Sequence, residues 1–485
     1  MHTSLHYIHG RWTPGESASP RTGEALNPAT SEVAALYAEG SAADAQAAVA
    51  AARRAFETTP WRHSPRVRAD LLLAFADRLE ARREEVADWL VTLNGKLRRE
   101  AMGEIMAGVS ELRYYAGLAR NIAGRVLEVE PQCYSQLDRE AAGVAVIILP
   151  WNAPVTLLVR SLAPALAAGC TAVLKPAHQT ARVHNLVLEC IVDDPRLPAG
   201  VINSVIESGA EVSRALCADP EVDVISFTGS SAVGKQIARD TAPLLTRLSL
   251  ELGGKAPAVV LADCDVARAV QGIVAGGMVM AGQQCTAIAR VLVEEPLFDT
   301  FAARLRNALA EVRVGPGNDP ASQMGCLIDM RNRDRIARLV QEAGDSAEVR
   351  RVHLRGQVGT GALARGAFIS PSLIEVEDLG SRYVQDELFG PLLVIERFAD
   401  EDAAVARANA TRYGLAASVW GRDATRARRI ARRLRSGTVW MNSHNRLFAE
   451  AETGGSRDSG YGRLHGVQGL DDFLQTKHVY YELGQ

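Results

Sequence analysis

The sequence lacks a surplus of charge of either sign. It carries 54 lysines and arginines against 57 aspartates and glutamates over 485 residues, a formal net charge of −3. Nucleic-acid scavengers and polybasic membrane binders need an excess of positive charge, so both classes are excluded. The 47% of hydrophobic residues indicates a folded chain with a large core. The length predicts about three structural units.

Cysteine is also scarce. The seven cysteines are an odd number, and no two of them have the C-x-x-C spacing of a metal or redox site. Neither a disulfide scaffold nor a bound metal is therefore expected. The segment from Met1 to Pro14 contains no apolar stretch of the kind found in a secretory signal. Together these absences predict a reducing, cytoplasmic location.

An uninterrupted membrane-spanning run is lacking as well. Residues 141–159 carry no charge, but Pro150 and Pro154 break the run in its middle. Residues 272–289 are also uncharged, yet two glutamines lie near one end. A strand, a turn and a helix from Val155 explain the first run better than a spanning helix does.

The chain does contain a regular alternation of short β-branched segments and helical segments from Gly143 onward. Strands that alternate with helices are typical of βαβ units around a buried parallel sheet. A second series of the same kind begins near Ala258. The first 120 residues are interpreted mostly as helix, and Val126 to Asp138 as a half-solvated hairpin. The sequence thus predicts an α/β fold in which two units share a cleft.

Three residues have the chemistry of a covalent-catalysis site. Cys285 follows a Gly-Gln-Gln break, where loop backbone can present a nucleophilic thiol. Glu251 ends an apolar strand, and burial there would suit a general base, although pairing with Lys255 explains it equally well. Asn152 stands between two prolines and offers an amide to an oxyanion, or is an ordinary turn residue.

One glycine-rich turn has two interpretations. Gly229 to Lys235 spells G-x-x-x-x-G-K after a predicted strand, but Gln236 replaces the Ser or Thr of a P-loop. A Walker NTPase is therefore the weaker alternative. A strand, a glycine turn and a helix N-terminus still predict a pyrophosphate seat, and Lys175 ends a strand at the same sheet edge. No G-x-G-x-x-G follows a predicted strand.

Six motifs occur in one order along almost the whole chain. They are Pro150-Trp-Asn-Ala-Pro, Lys175-Pro-Ala, Phe227-Thr-Gly-Ser, Leu250-Glu-Leu-Gly-Gly-Lys, Gly282-Gln-Gln-Cys and Glu387-Leu-Phe-Gly-Pro, followed by a late Gly454-Gly-Ser-Arg. In this order and spacing the sequence resembles the NAD(P)-dependent, non-acylating aldehyde dehydrogenase superfamily.

The resemblance implies a mechanism and a set of site residues. Cys285 would attack the aldehyde carbon, Asn152 and the Cys285 backbone N–H would hold the oxyanion, and Glu251 would activate water against the thioester. The residues implied for cofactor binding, with NAD or NADP as the cofactor, are Trp151, Lys175, His178, Gly229, Ser230, Val233, Glu387 and Phe389. An acylating, CoA-dependent relative would typically lack Glu251, and a catalytically silent member of the fold would lack Cys285 or Asn152.

The resemblance also implies a domain division and self-association. A Rossmann-type dinucleotide-binding domain would comprise residues 1–124 and 144–252, and an α/β catalytic domain residues 253–450. A small β flap of residues 125–143 and 466–485 would join subunits into a homodimer or homotetramer.

Two departures from the family bear on specificity. Many NAD-preferring relatives have a carboxylate two residues after Lys-Pro, where this chain has His178, so NADP use is plausible. Relatives that oxidise betaine aldehyde have aromatics after Trp-Asn, but here Ala153, Thr156 and Arg160 follow. We therefore expect Arg160 and Thr156 to contact an aromatic or a carboxylate-bearing aldehyde. Semialdehyde relatives have an arginine at the position of Arg160 and usually a second one six residues before the cysteine, where this chain has Val279. Pairing of Arg160 with Glu450 or Glu452 is the structural alternative.

Overall fold

A computed structural model describes residues 2–15 and 21–483. Within these ranges no helix is long and apolar enough to cross a membrane. The helices are α1 (Ala42–Thr58), α2 (Pro65–Ala81), α3 (Arg83–Asn94), α4 (Arg98–Ala119), α5 (Pro154–Ala168), α6 (Ala181–Glu189), α7 (Glu211–Ala218), α8 (Ser231–Thr241), α9 (Val266–Met278), α10 (Phe298–Ala310), α11 (Met330–Ala343), α12 (Arg382–Gln385), α13 (Glu401–Ala408) and α14 (Ala424–Ala431).

The strands form four sheets. They are β1 (Thr3–Ser4), β2 (His6–Ile8), β3 (Arg11–Thr13), β4 (Arg21–Leu26), β5 (Val33–Glu39), β6 (Arg125–Glu130), β7 (Cys133–Ala141), β8 (Val144–Ile148), β9 (Thr171–Lys175), β10 (Ile202–Ser204), β11 (Val224–Thr228), β12 (Arg247–Glu251), β13 (Ala256–Val260), β14 (Ile288–Glu294), β15 (Arg351–Leu354), β16 (Ser372–Glu375), β17 (Leu392–Phe398), β18 (Ala416–Trp420), β19 (Thr438–Met441), β20 (Gly460–Tyr461) and β21 (Leu474–Glu482).

The largest sheet has eight strands in the order β20-β12-β11-β8-β9-β10-β2-β3. Its five central strands are parallel, and the chain starts at β8, proceeds through β9 to β10, then crosses to β11 and β12. The strand order therefore reverses between β8 and β11. In doubly wound sheets a ligand binds at this switch point, outside the carboxyl ends of the strands.

The helix that follows β8 is shaped by its ends. Pro154 occupies the first turn of α5, where a missing backbone N–H costs nothing, and Gly169 ends the helix in the left-handed region at φ +98°. Every α5 residue except Thr156 is buried. This continuous burial fixes the start of α5, and with it the loop that carries Asn152.

A second sheet of seven strands has the order β15-β16-β17-β14-β13-β18-β19, parallel except for β15. A separate three-stranded antiparallel sheet joins β21, β7 and β6. The predicted α/β class is confirmed. The exact domain boundaries stay a prediction.

The interpretation of the first 120 residues as mostly helical was wrong for its beginning. Five strands occupy described residues between Thr3 and Glu39, and β2 and β3 extend the largest sheet. These strands are short and lie at sheet margins, so they lack the continuous apolar runs that mark the central strands.

Candidate active site

A cavity of about 450 Å³ lies where the two large sheets meet. Glu251 at the end of β12 and Cys285 before β14 both line it, as do Asn152 and the first turns of α5. Residues far apart in sequence are thus brought together: Glu251 and Asn152 lie at the carboxyl ends of β12 and β8, and Cys285 lies before the amino end of β14. A cavity of this size accommodates a small organic molecule.

Cys285 and Glu251 are in contact within this cavity. The Cys285 thiol donates to Oε1 of Glu251 over 3.5 Å. Burial raises the pKa of Glu251, and the positive charge of Arg160 opposes that rise. Burial, together with the Glu251 carboxylate, raises the pKa of the Cys285 thiol as well. The thiol is therefore held in its protonated form beside a group that can accept its proton.

The alternative pairing of Glu251 with Lys255 is wrong. The Lys255 ammonium is buried and makes no hydrogen bond to the described residues, and burial lowers its pKa to about 7. The glycine pair between these residues has a steric reason. A Cβ on Gly254 would lie 2.5 Å from the Cys285 carbonyl oxygen, and one on Gly253 would lie 2.4 Å from the Glu387 carboxylate.

The Asn152 amide is held in place from two sides. Its Nδ2 donates to the Gln283 carbonyl over 3.0 Å, two residues before Cys285. Its own backbone carbonyl accepts from Lys96 Nζ over 2.9 Å. Lys96 is fully buried and also pairs with Glu104 of α4, whose other oxygen accepts from Val155 N over 2.7 Å.

Sequence reasoning missed Lys96 and Glu104. The Asn94-Gly95-Lys96 turn between α3 and α4 was a visible helix break, but a lysine after a turn is usually solvated. Here its burial is compensated because the Glu104 carboxylate and the Asn152 carbonyl both accept from its ammonium. These residues position the Asn152 loop and do not themselves carry a reactive atom.

Arg160 lies in the cavity wall one turn after Thr156. Its Nη2 donates to Thr228 Oγ1 over 3.2 Å, while Nε is buried without a partner. Within the described part of the chain it forms no ion pair, so the alternative pairing with Glu450 or Glu452 is wrong. The Thr156 hydroxyl donates to the Glu104 carbonyl over 2.9 Å. Arg160 therefore brings to the cavity a positive charge that no ion pair compensates, although it acts electrostatically on Glu251.

The switch point of the first sheet has the shape of a dinucleotide site. Ser230 caps α8, and its Oγ accepts from Val233 N over 3.4 Å. A Cβ on Gly229 would strike the Phe227 ring at 2.4 Å, so the turn admits only glycine without rearrangement. Val233 in the first turn of α8 is 48% exposed. The helix N-terminus is thus open to an anionic ligand.

The P-loop interpretation of this turn is wrong. Lys235 Nζ donates to Asp458 Oδ2 over 2.6 Å, so its ammonium is paired away from the glycine turn. Ser231 also turns toward the same segment, donating to the Asp458 carbonyl over 2.6 Å. The turn keeps the helix N-terminus but lacks the phosphate-directed lysine of a Walker NTPase.

At the end of β9, Lys175 lies 3.8 Å from the buried Glu207 carboxylate. Burial lowers the pKa of Lys175, and Glu207 opposes that change. The His178 ring packs against Tyr37 with centroids 5.4 Å apart, and burial followed by the charge of Lys175 lowers its pKa. His178 is therefore neutral at pH 7, and the nearest charge to Lys175 is negative.

Trp151, Phe389 and Glu387 lie between the two sheets. The Trp151 and Phe389 rings meet edge to face with centroids 5.8 Å apart, and Phe389 has a left-handed backbone at φ +52°. Glu387 Oε1 accepts from Gly254 N over 2.9 Å, and burial raises its pKa to about 7. The residues implied for cofactor binding thus follow one edge, from α8 to the cavity.

Comparison with known proteins gives one consistent result. Residues 12–479 match the aldehyde dehydrogenase family. The chain is 35% identical over 485 residues to phenylacetaldehyde dehydrogenase of Pseudomonas fluorescens, covering 97% of this chain and 94% of the relative. It is 35% identical over 484 residues to an NADP/NAD-dependent aldehyde dehydrogenase of Escherichia coli K12, covering 98% and 95%.

A solved structure agrees with the sequence matches. Betaine aldehyde dehydrogenase of Staphylococcus aureus in complex with NAD+ superposes with a TM-score of 0.93 at 35% identity, covering 99% of this chain and 95% of that one. The match extends over both large sheets and the cavity between them. The chain therefore belongs to the aldehyde dehydrogenase family and is an enzyme that oxidises aldehydes.

Proposed function

We propose that this enzyme oxidises an aldehyde bearing a carboxylate or a polar aromatic ring, with Cys285 as nucleophile, Asn152 as oxyanion donor and Glu251 as general base. The contact of 3.5 Å between the Cys285 thiol and the Glu251 carboxylate carries the proposal. Asn152 Nδ2 lines the same cavity with one N–H left over from its bond to Gln283.

The proposed steps follow from these three side chains. Glu251 accepts the thiol proton, and the Cys285 sulfur bonds to the aldehyde carbon while Asn152 stabilises the oxyanion. NAD or NADP, when bound, supplies the hydride acceptor that oxidises this adduct. After Glu251 has released the thiol proton, it takes a proton from water, the water oxygen bonds to the thioester carbon, and the carbon–sulfur bond breaks. The carboxylic acid leaves, and the Cys285 thiolate is regenerated.

The cofactor is NAD or NADP, and we propose that both support turnover with NAD preferred. The open N-terminus of α8 suits a pyrophosphate, and no carboxylate occupies position 178 to repel a 2′-phosphate. The Glu207 carboxylate near Lys175 disfavours a second anion there, which supports the preference for NAD.

Replacing His178 by glutamate is expected to restore the repulsive charge. His178→Glu should lower kcat/KM for NADP by about tenfold or more relative to NAD, since about 1.4 kcal/mol of repulsion corresponds to that factor. Steady-state kinetics with both cofactors measures the ratio, and His178→Gln is the uncharged control. Wild-type enzyme that shows no activity with millimolar NADP would contradict this assignment of His178.

The substrate class rests on the charges of the cavity wall. Three of the acidic lining residues are already bonded: Glu104 to Lys96, Glu111 to His465, and Glu100 to the backbone N–H groups of Leu97 and Met280. The fourth, Glu251, accepts from the Cys285 thiol and interacts electrostatically with Arg160 without forming an ion pair with it. Arg160 is the single arginine or lysine among the described lining residues, and it forms no ion pair. A substrate carboxylate or ring hydroxyl would compensate its charge.

The cavity does not suit a quaternary ammonium substrate. Phe448 at the mouth is the single Phe, Tyr or Trp among the described lining residues, and Ala153 and Thr156 occupy the wall nearest Asn152. A quaternary ammonium binds best inside several aromatic rings, and the uncompensated Arg160 would repel it. Carboxylated and aromatic aldehydes both remain compatible with this wall.

Removal of Arg160 tests the proposed substrate class. Arg160→Leu should lower kcat/KM for carboxylated or hydroxylated aromatic aldehydes by about 10- to 150-fold, the range expected from losing about 1.5–3 kcal/mol of charge-assisted hydrogen bonding. Unsubstituted aliphatic aldehydes should be unaffected or improved. An aldehyde panel run on both proteins measures the difference. Equal losses for all aldehydes, with a lower melting temperature, would make Arg160 a structural residue.

We also propose that subunits associate through the flap formed by β6, β7 and β21. All six residues of β6 are exposed, among them Val126 at 59% and Val129 at 56%, and Tyr480 on β21 is 51% exposed. An apolar sheet of this kind is normally covered by another surface. Association into a homodimer or homotetramer would cover this surface.

All seven cysteines are free thiols, which supports a reducing, cytoplasmic location.

A further inference from the structure

A second acid–base pair lines the catalytic cavity. His465 Nδ1 lies 2.7 Å from Glu111 Oε1, and both side chains are buried. The Glu111 carboxylate accepts a hydrogen bond from the Nδ1–H group and so orients the ring. His465 lines the cavity, and its Nε2 makes no hydrogen bond to the described residues, which leaves that nitrogen for a molecule inside the cavity.

The backbone at His465 is unusual for a side-chain-bearing residue. It has a left-handed conformation at φ +62°, which L residues rarely adopt outside glycine. Such conformations persist where surrounding contacts determine them, and they cluster at functional sites. The Tyr115 hydroxyl supplies one contact, donating to the Gly466 carbonyl over 3.1 Å. The ring is therefore held against the cavity.

The reaction produces protons that the cavity must release. Oxidation of an aldehyde by water and a nicotinamide dinucleotide yields the carboxylate, the reduced cofactor and two protons. Glu251 takes one of them from the attacking water, and the carboxylic acid product releases the other. Glu251 also takes the Cys285 thiol proton before the attack on the aldehyde, and the regenerated thiolate recovers a proton before the next turnover. Because Glu251 is buried, it needs an acceptor before it can act again.

We propose that His465, oriented by Glu111, is the residue that takes the proton from Glu251 and passes it to solvent. The O–H bond of the Glu251 carboxyl breaks, and an N–H bond forms at His465 Nε2, directly or through one water. The Glu111 carboxylate stabilises the resulting imidazolium. Loss of the same proton to bulk water restores the neutral ring. This inference rests on the proposed role of Glu251.

Charged groups of both signs lie in the neighbourhood of His465 and Glu251. The neighbouring elements contribute more acidic than basic groups, namely Glu111 and Tyr115 from α4, Arg160 from α5, Glu251 from β12, Glu452 from the preceding loop, and Arg463 and Asp472 from its own segment. His465 and Arg160 both act electrostatically on Glu251.

His465→Asn separates the two ring nitrogens. The asparagine amide reaches Glu111 as Nδ1 does but has no counterpart of Nε2. We expect kcat to fall about 10- to 100-fold, within or below the usual contribution of a proton-transferring side chain. The pre-steady-state burst of reduced cofactor should survive, and added imidazole should restore at least part of kcat. Glu111→Gln should give a smaller loss and an altered pH profile of kcat.

A matched control exists elsewhere in the fold. His353 Nε2 lies 2.9 Å from Glu375 Oε2 on the edge of the second sheet, outside the cavity lining. His353→Asn should leave kcat unchanged. A His465→Asn enzyme whose kcat stays within about twofold of the wild type, or whose loss imidazole does not restore, would overturn the inference.

Glu251→Gln, measured in parallel, distinguishes a failure of the role proposed for Glu251 from a failure of the role proposed for His465. If Glu251→Gln keeps normal turnover, the role of Glu251 fails and the inference fails with it. If Glu251→Gln loses turnover while His465→Asn does not, only the role of His465 is wrong.

Discussion

Cys285→Ala is expected to abolish aldehyde oxidation, lowering kcat by at least about 10³-fold, because no other nucleophile in the cavity replaces a thiol. The substitution removes one sulfur atom from a loop whose position depends on backbone contacts of Gln283 and Gly254, so the fold should be retained. Steady-state production of reduced cofactor measures the loss.

Dinucleotide binding provides the control for this variant. The site at the N-terminus of α8 does not include the Cys285 side chain, so the Kd for NAD should change little. Cys264→Ala is a matched substitution of a buried cysteine outside the cavity, and it should leave kcat near the wild-type value. More than a few per cent of wild-type kcat in Cys285→Ala would rule out Cys285 as the nucleophile.

Glu251→Gln should separate the two halves of the reaction. The amide cannot accept a proton from water, so hydrolysis of the thioester should slow by about 10²–10⁴-fold and dominate kcat. The pre-steady-state burst of reduced cofactor should slow but persist, since it precedes that step and water can replace Glu251 as the acceptor of the thiol proton. Rapid mixing with a saturating aldehyde measures both phases in one experiment.

The loss of burst and turnover together would show that no other base replaces Glu251 as the acceptor of the thiol proton. The contact between its carboxylate and the Cys285 thiol permits that first step. In that case raising the pH should recover the burst in Glu251→Gln, because hydroxide then replaces the carboxylate as the base for the thiol. Near-ultraviolet circular dichroism identical to the wild type excludes misfolding as the cause.

The sequence predicts the central elements of this fold because buried elements consist mostly of apolar residues. β8 and α5 are buried almost throughout, so their apolar runs, the proline at the start of α5 and Gly169 at its end are visible signals. The strands before residue 40 carry no such signal. They pair at sheet margins, where partners contributed by distant segments decide the structure.

The site residues likewise divide into those that the local sequence predicts and those that it does not. Cys285, Glu251 and Asn152 could be proposed because each has a reactive side chain beside a helix or strand terminus. The buried Lys96 and the His465–Glu111 pair could not, since Lys96 reaches Asn152 across 56 positions and His465 reaches Glu111 across 354. Contacts of that separation depend on how helices pack, which no local pattern contains.

The path of the chain after His465 has a practical consequence for anyone who handles this enzyme. The segment continues through a 3-10 helix, Gln468–Phe473, whose last carbonyl binds Ala142 N over 2.9 Å, and then becomes β21 at the flap. One short segment of the chain therefore contributes both to the cavity wall and to the exposed sheet. A purification tag, fusion partner or surface tether placed beyond β21 is attached directly to this segment and can displace the cavity wall. We therefore expect immobilisation through the opposite end of the chain to preserve more activity in a biocatalyst.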